Sequence, residues 1–211
     1  MSDRTPLLIT LGPAETPPLH LPGFDARLVS PFAEQPSTCR VSLSEVHSAW
    51  TTLASVLLGL PSDLPVVLYG CGAYGTLAVY AMSQTKQLRA ALIRSALIDP
   101  LSALALTDVI SADPKTSLHS QIHALAADCV LENIREISAP LLILHGEADL
   151  QVPSAQADEL FVLMKALHPD LPSRLVLFPG EGHTFSLSAE SAALEEMTRF
   201  LTAHVGGDAS R

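Results

Sequence analysis

Five short stretches of the chain are apolar without interruption: Leu7-Leu8-Ile9, Val66-Val67-Leu68, Leu92-Ile93, Leu141-Leu142-Ile143-Leu144 and Leu175-Val176-Leu177. A strand with one wet face alternates apolar and polar positions, so unbroken runs of this length predict strands covered on both faces, as in a parallel sheet. Between them the period lengthens. Val46, Ala49, Trp50, Leu53 and Leu57 recur at helical spacing, with Ser42 or Ser44 as N-cap and Gly59 as a stop. Ala157, Leu160, Phe161, Met164 and Leu167 form a second stripe, opened near Pro153 and closed by Pro169. A third, Leu194, Met197, Phe200, Leu201 and His204, runs out at Gly206-Gly207. Strand and helix alternate, which predicts an α/β fold: a mostly parallel sheet flanked by helices on both faces. The rhythm breaks at 100–137, between strands expected at 91–98 and 141–144. That stretch is mixed and partly helical, and it predicts a small helical excursion or cap over the carboxyl edge of the sheet, where open α/β sheets bind ligands.

The chain has 211 residues, enough for one domain with a sizeable core, and 1–211 is read as a single domain carrying that small cap. Only 16% of the residues are charged and the sixteen prolines are dispersed, which excludes a disordered chain. A formal charge of −10 and a pI near 5.1 argue against nucleic acid and anionic membranes as partners, because both are held largely by lysine and arginine. Met1 to Thr5 are polar and lead directly into the first apolar run, without the pattern of a secretory leader, so a cytoplasmic location is expected. Cys39, Cys71 and Cys129 are odd in number and lack metal-ligand spacing, so they are read as small reduced residues. His119 and His123 stand four apart but lack a third ligand, and no metal or cofactor is expected.

Three segments carry the chemistry. Val66 to Tyr69 lead through Gly70-Cys71-Gly72-Ala73-Tyr74-Gly75 into a helical pattern, which makes a strand, a sharp small-residue turn and a helix. His145-Gly146-Glu147-Ala148-Asp149-Leu150-Gln151-Val152-Pro153 follows the fourth run, and Pro179-Gly180-Glu181-Gly182-His183-Thr184-Phe185 follows the fifth. These strings, in this order, resemble the nucleophile elbow, acid loop and histidine loop of the α/β-hydrolase superfamily. The closest likeness is to its prolyl-oligopeptidase and dienelactone-hydrolase branches, from about Pro65 to the last helix, and Asn133-Ile134 through Ala139-Pro140-Leu141-Leu142 adds to it. The resemblance implies serine-hydrolase chemistry on an ester, lactone or peptide. Asp149 would be the triad acid and His183 the base that takes the nucleophile's proton.

The resemblance fails at the nucleophile. In the natural register the position falls on Gly72, with Tyr74 crowding the turn where a small residue is usual. A shift of one places Ala73 there, which in the first register would instead supply an oxyanion N–H. A shift the other way places Cys71 there, at the cost of the bulky Tyr69 two places ahead. After the first strand the string is Leu11-Gly12-Pro13, and proline has no N–H to give an oxyanion.

Two functions follow. One is a degenerate hydrolase that binds a small ester-, lactone- or peptide-like ligand, or regulates through it. The other is an active hydrolase using Cys71, or a nucleophile-substituted form of a serine hydrolase. Beside these stand plainer readings: His183 as a loop histidine, Asp149 as a cap for the helix near Pro153, Glu147 and Glu181 as solvated carboxylates, and His145 as a structural residue at a strand end.

Overall fold

The structure, a computed structural model, describes residues 4–36, 40–103 and 117–206. Six strands, β1 (Leu7–Leu11), β2 (Asp25–Val29), β3 (Val66–Cys71), β4 (Leu88–Arg94), β5 (Leu141–Gly146) and β6 (Ser173–Phe178), form one sheet in the order β2-β1-β3-β4-β5-β6. Every neighbouring pair is parallel. The helices are α1 (Leu43–Leu58), α2 (Ala73–Gln84), α3 (Pro100–Ala103), α4 (Leu118–Ala127), α5 (Ala155–Leu167) and α6 (Leu187–His204), with a 3-10 turn at Leu131–Glu136.

Alternate residues of the strands feed two cores. Leu7, Ile9, Val66, Leu68, Ile93, Leu141 and Ile143 face α1, α2 and α5, whereas Leu8, Val67, Leu92, Leu142 and Leu144 face α6. The expected doubly covered sheet is what forms, and the reason lies in the central strands. Leu8, Ile9, Leu68, Leu92, Ile93, Leu141 and Leu142 are fully buried, so no polar position interrupts those runs. Helix α2 is wedged between the sheet and α1, and Ala73 through Met82 are all buried, which an amphipathic surface helix could not tolerate.

Ser42 caps α1 in a reciprocal capping box with Glu45, and Gly59 closes it. The hydrogen bonds from Ser42 hold the Glu45 carboxyl below its ordinary value. Strand β4 ends earlier than its expected limit of 98. Arg94 places a charge at the strand end, and Ser95 then turns the chain with a left-handed φ of 49°. Strand β2 was not expected, because Asp25-Ala26-Arg27-Leu28-Val29 alternates polar and apolar as an edge strand does. The other edge, β6, is only half-buried rather than covered on both faces. In α6 the buried stripe is Ala189, Ala193, Met197, Phe200 and Leu201, and Leu194 turns outward. The excursion is helical where it is described, in α3, α4 and the 3-10 turn, and 104–116 lie outside the described residues.

Candidate functional site

The carboxyl ends of β3, β5 and β6 carry the three segments that the sequence singled out. At the first, β3 stops at Cys71 and α2 starts at Ala73, leaving Gly72 alone to reverse the chain with φ 56° and ψ −127°. The Gly72 N–H donates to the Arg94 carbonyl at 2.9 Å, and its own carbonyl accepts from the Thr76 N–H at 3.1 Å. A Cβ on Gly70 would lie 2.3 Å from the Tyr74 carbonyl oxygen, and one on Gly75 would lie 2.9 Å from the Ala96 Cβ. The tightness of this turn therefore sits at Gly70 and Gly75. Tyr74, expected to crowd it, does not, because its buried ring leaves the turn to meet Phe32 edge-on at 5.2 Å.

Helix α2 begins at Gly72 without a side-chain cap, and the partial positive charge of its amino end lies at the turn. Ala73 is the first helical residue, and it is buried. Cys71 ends the strand half-buried, and its Sγ accepts from Arg94 Nε at 3.3 Å. Arg94 also donates through Nη1 to Glu190 at 2.7 Å and lies 4.9 Å from the centre of the Phe185 ring. This one guanidinium touches the residue before Gly72 and the residue two after His183, and so ties the first segment to the third.

The acid loop is pinned by its own backbone. Asp149 Oδ1 accepts from the N–H groups of Gln151 and Val152, both at 2.9 Å. Oδ2 accepts from His183 Nδ1 at 2.8 Å. The Asp149 side chain is fully buried and that of His183 is 17% exposed. Burial opposes the charge on Asp149, but the hydrogen bonds from His183, Val152 and Gln151 outweigh it and hold the carboxyl below its ordinary value of 3.8. A carboxylate on Nδ1 fixes the tautomer with the proton on that nitrogen, so the basic lone pair is on Nε2, across the ring. The acid does not cap α5, which starts later, at Ala155; it closes its own turn instead.

The acid and histidine loops interlock through main chain. The Ala148 N–H donates to the Glu181 carbonyl at 2.8 Å, and the Glu147 N–H donates to the Phe178 carbonyl at 3.0 Å. A Cβ on Gly146 would come within 2.4 Å of the carbonyl oxygens of Glu181 and Gly182. Glu181 has a job in this joint: its carboxylate accepts from the Ser186 N–H and hydroxyl, both at 2.7 Å, at the start of α6. Those two bonds hold it below the ordinary glutamate value.

His145 lies beneath the pair, almost wholly buried. Its Nε2 donates to the Val152 carbonyl at 2.8 Å and stands 3.5 Å from Asp149 Oδ2. Because a carbonyl can only accept, the proton is on Nε2. Burial pushes this imidazole below its ordinary 6.5. The unfolded chain therefore takes up a proton that the folded chain resists. Stability from this group is complete above pH 6.5 and is lost as the pH falls from there to the lower folded-state value. His145→Gln keeps a donor for Val152 without titrating, so between pH 8 and 5.5 its urea midpoint should fall less than that of the parent. Equal slopes would show that His145 does not set the acid sensitivity.

His119 and His123 stack edge-on with ring centres 4.3 Å apart, and among the described residues no group of three or more metal-ligating side chains forms. Cys71 and Cys129 are free thiols, and burial pushes that of Cys129 up to about 11; Cys39 lies outside the described residues. Sequence reasoning missed Arg94, whose signal was a lone cation closing an apolar strand. It also missed Ser95, whose buried Oγ has no hydrogen-bond partner among the described residues.

A parallel sheet with helices on both faces and these three loops at its carboxyl edge defines an α/β hydrolase fold. Residues 66–208 match the prolyl oligopeptidase family, and the chain belongs to it. It is 27% identical over 120 residues to the uncharacterized peptidase YuxL of Bacillus subtilis, which covers 54% of this chain and 18% of that protein. Among solved structures, the acylaminoacyl peptidase of Pyrococcus horikoshii superposes with a TM-score of 0.70 at 13% identity, over 98% of this chain and 38% of that one. Est1E from Butyrivibrio proteoclasticus, with ferulic acid bound, gives 0.68 at 15% identity over 95% and 89%. These two likenesses concern the fold. The chain spans less than a fifth of the length of YuxL. Among the described residues no helix is long and apolar enough to cross a membrane.

Proposed function

We propose that this chain is a hydrolase-fold binding protein whose cleft keeps the acid and base of a catalytic triad, Asp149 and His183, but has lost the covalent nucleophile. It holds a peptide- or ester-like ligand without forming an acyl-enzyme. The observation that carries this reading is Gly72, which alone occupies the strained break between β3 and α2 and has no side chain with which to attack. A nucleophile elbow is that kind of break, a strand-to-helix turn that exposes one residue above the sheet. The neighbouring candidates fit the role less well. Ala73 is buried inside the helix, and Cys71 belongs to the strand with its sulfur directed to Arg94.

The loop after β1 supports the same reading. The Gly12 N–H is engaged by the Val29 carbonyl at 3.2 Å, and Pro13 has none, so these two residues offer an oxyanion nothing. Ligands of the proposed class occupy proteins of this fold: ferulic acid in Est1E, and Z-Gly-Gly-Phe-chloromethyl ketone in an acylaminoacyl peptidase.

The test is intact-protein mass spectrometry after incubation with a fluorophosphonate and, separately, with a peptide chloromethyl ketone. The expected result is no phosphonyl adduct, no ketone adduct on residues 71–73, and saturable binding of ferulate or a blocked tripeptide that Tyr substitution at Gly72 weakens. A stoichiometric adduct on Cys71 would replace this reading with that of a thiol hydrolase.

A further inference from the structure

On the edge of the sheet opposite the Asp149–His183 pair, a cavity of about 300 Å³ opens between the starts of β1, β3, β4 and β5 and the end of α6. Pro6, Pro65 and Pro140 stand in its wall, each just ahead of a strand, and have no N–H to offer. The polar side chains are those of Arg4, Arg89, Ser138 and His204. Neither aspartate nor glutamate is among the described residues of that lining, although the chain carries 22 acidic residues against 12 lysines and arginines. The cavity is basic in an acidic protein.

Arg89 owes its place there to an irregularity in β4. Leu88 is level with Val66 but Ala90 is level with Val67, so Arg89 is one residue more than β3 can match. The two cores agree: Leu88 joins the one under α1 and α2, whereas Ala90, which strict alternation would put on the same side, joins the one under α6. Arg89 is left out of both and is exposed, while the next four residues of the strand are buried. Among the described residues its guanidinium makes no ion pair or hydrogen bond, and neither does the Ser138 hydroxyl. Lys86 donates to the Glu136 carbonyl, which ties the chain entering β4 to the chain entering β5 and keeps Arg89 and Ser138 on one cavity. Arg4 directs Nε to Asp63 at 3.2 Å and serves as a wall.

We propose that this cavity binds a phosphoryl group, held by the Arg89 guanidinium with the Ser138 hydroxyl and the His204 imidazole as further donors. A guanidinium presents its N–H groups as a planar fork that fits two oxygens of one oxyanion. Donors from three separate segments, the start of β4, the turn before β5 and the end of α6, suit a tetrahedral group with three terminal oxygens. A carboxylate has only two, in one plane. The site is separate from the cleft of the proposed function and does not depend on it. Because it joins the starts of four strands to the end of α6, its occupation fastens that helix to the sheet and stabilises the folded chain.

The experiment is calorimetric titration of the full chain with glycerol phosphate, inorganic phosphate and succinate, at an ionic strength held constant with chloride. The expected result is saturable, one-to-one binding of the two phosphates, no saturation by succinate, and a Tm that rises with phosphate-ligand concentration. Tighter binding of glycerol phosphate assigns the site to a phosphomonoester, and equal or tighter binding of inorganic phosphate assigns it to the free ion; both uphold the phosphoryl site. Arg89→Gln should weaken binding at least about 10-fold, as loss of hydrogen bonds to a charged group does. Arg89→Lys should recover part of that loss. Arg27→Gln, which removes the same charge from the exposed edge strand β2, should bind as the parent does. Arg89 is exposed, so its replacement leaves the fold intact, and circular dichroism checks this. A parent that shows no saturation at millimolar phosphate, an Arg89→Gln variant that binds like the parent, or equal losses in Arg89→Gln and Arg27→Gln would overturn the site. Succinate bound as tightly as glycerol phosphate would overturn its assignment to a phosphoryl group.

Discussion

Gly72→Ser should turn the protein from one that a fluorophosphonate ignores into one that it labels, and the label should sit on residue 72. The serine would stand alone at the break between strand and helix, on the edge that carries the Asp149–His183 pair, so its hydroxyl would find a base already oriented. Ester hydrolysis should then show a burst as acyl-serine accumulates. The gain has two brakes. A φ of 56° with ψ −127° costs an L-residue about 1–3 kcal/mol, so the variant should be measurably less stable than the parent. Pro13 withholds an oxyanion donor, which in an active enzyme is worth about 10²–10³ in rate. The activity should therefore be far below that of an intact hydrolase while remaining plain against the unlabelled parent. Ala73→Ser is the control, because that side chain belongs to the buried first turn of α2 and should stay silent. Labelling of Ala73→Ser but not of Gly72→Ser would move the register by one residue. Two folded, unlabelled variants would remove the idea of a latent triad.

A large loss of stability should come from Gly146→Ala. The added methyl would lie 2.4 Å from two carbonyl oxygens, those of Glu181 and Gly182, and main chain cannot rotate out of the way as a side chain can. Overpacking costs typically about 1–3 kcal/mol, and a clash against backbone on a central strand belongs at or above the top of that range. The damage should also be specific in kind. Forcing β5 and the histidine loop apart pulls His183 from Asp149, so ferulate binding should weaken even at temperatures where the sheet survives. Gly182→Ala, in the same joint, meets nothing closer than the Ala148 carbonyl oxygen at 3.9 Å and should be tolerated within about 0.5 kcal/mol. Urea unfolding of the two variants beside the parent decides the matter, and equal midpoints for Gly146→Ala and the parent would refute the clash.

Much of the fold was legible because the middle of this sheet is dry. The runs at Leu7, Val66 and Leu141 could be read as strands from composition alone, since no polar residue interrupts them and both faces are covered. Edges obey a different rule. Strand β2 alternates and carries Asp25 and Arg27, so it contains no unbroken apolar run to mark it. The limit of β4 was misjudged because Ala96, Leu97 and Ile98 are buried as a strand would be, although Ser95 has already turned the chain.

Asp149 and His183 were readable from their strings, and the structure adds the 2.8 Å bond between them. The strings could not reveal the contacts made at long range. Arg94 reaches Glu190 across ninety-six positions, and the Glu181 carbonyl meets the Ala148 N–H only when the sheet brings their loops together. Tyr74 was misread for a related reason. A turn's tolerance depends on which atom approaches which, and here the close approach belongs to Gly70 and Gly75.

The joint between the acid and histidine loops gives this architecture a one-way character. Residue 72 itself enters the hydrogen bonds of its turn only through its main-chain N–H and carbonyl, so those bonds do not depend on its side chain. Removing Asp149 instead strips the acceptor from Gln151, Val152 and His183 together, and altering Gly146 wedges two strand ends apart. Foldability alone therefore polices Asp149 and His183, while residue 72 has no such guardian. A fold built this way leaves residue 72 open to exchange while it keeps the Asp149–His183 pair as a fixture.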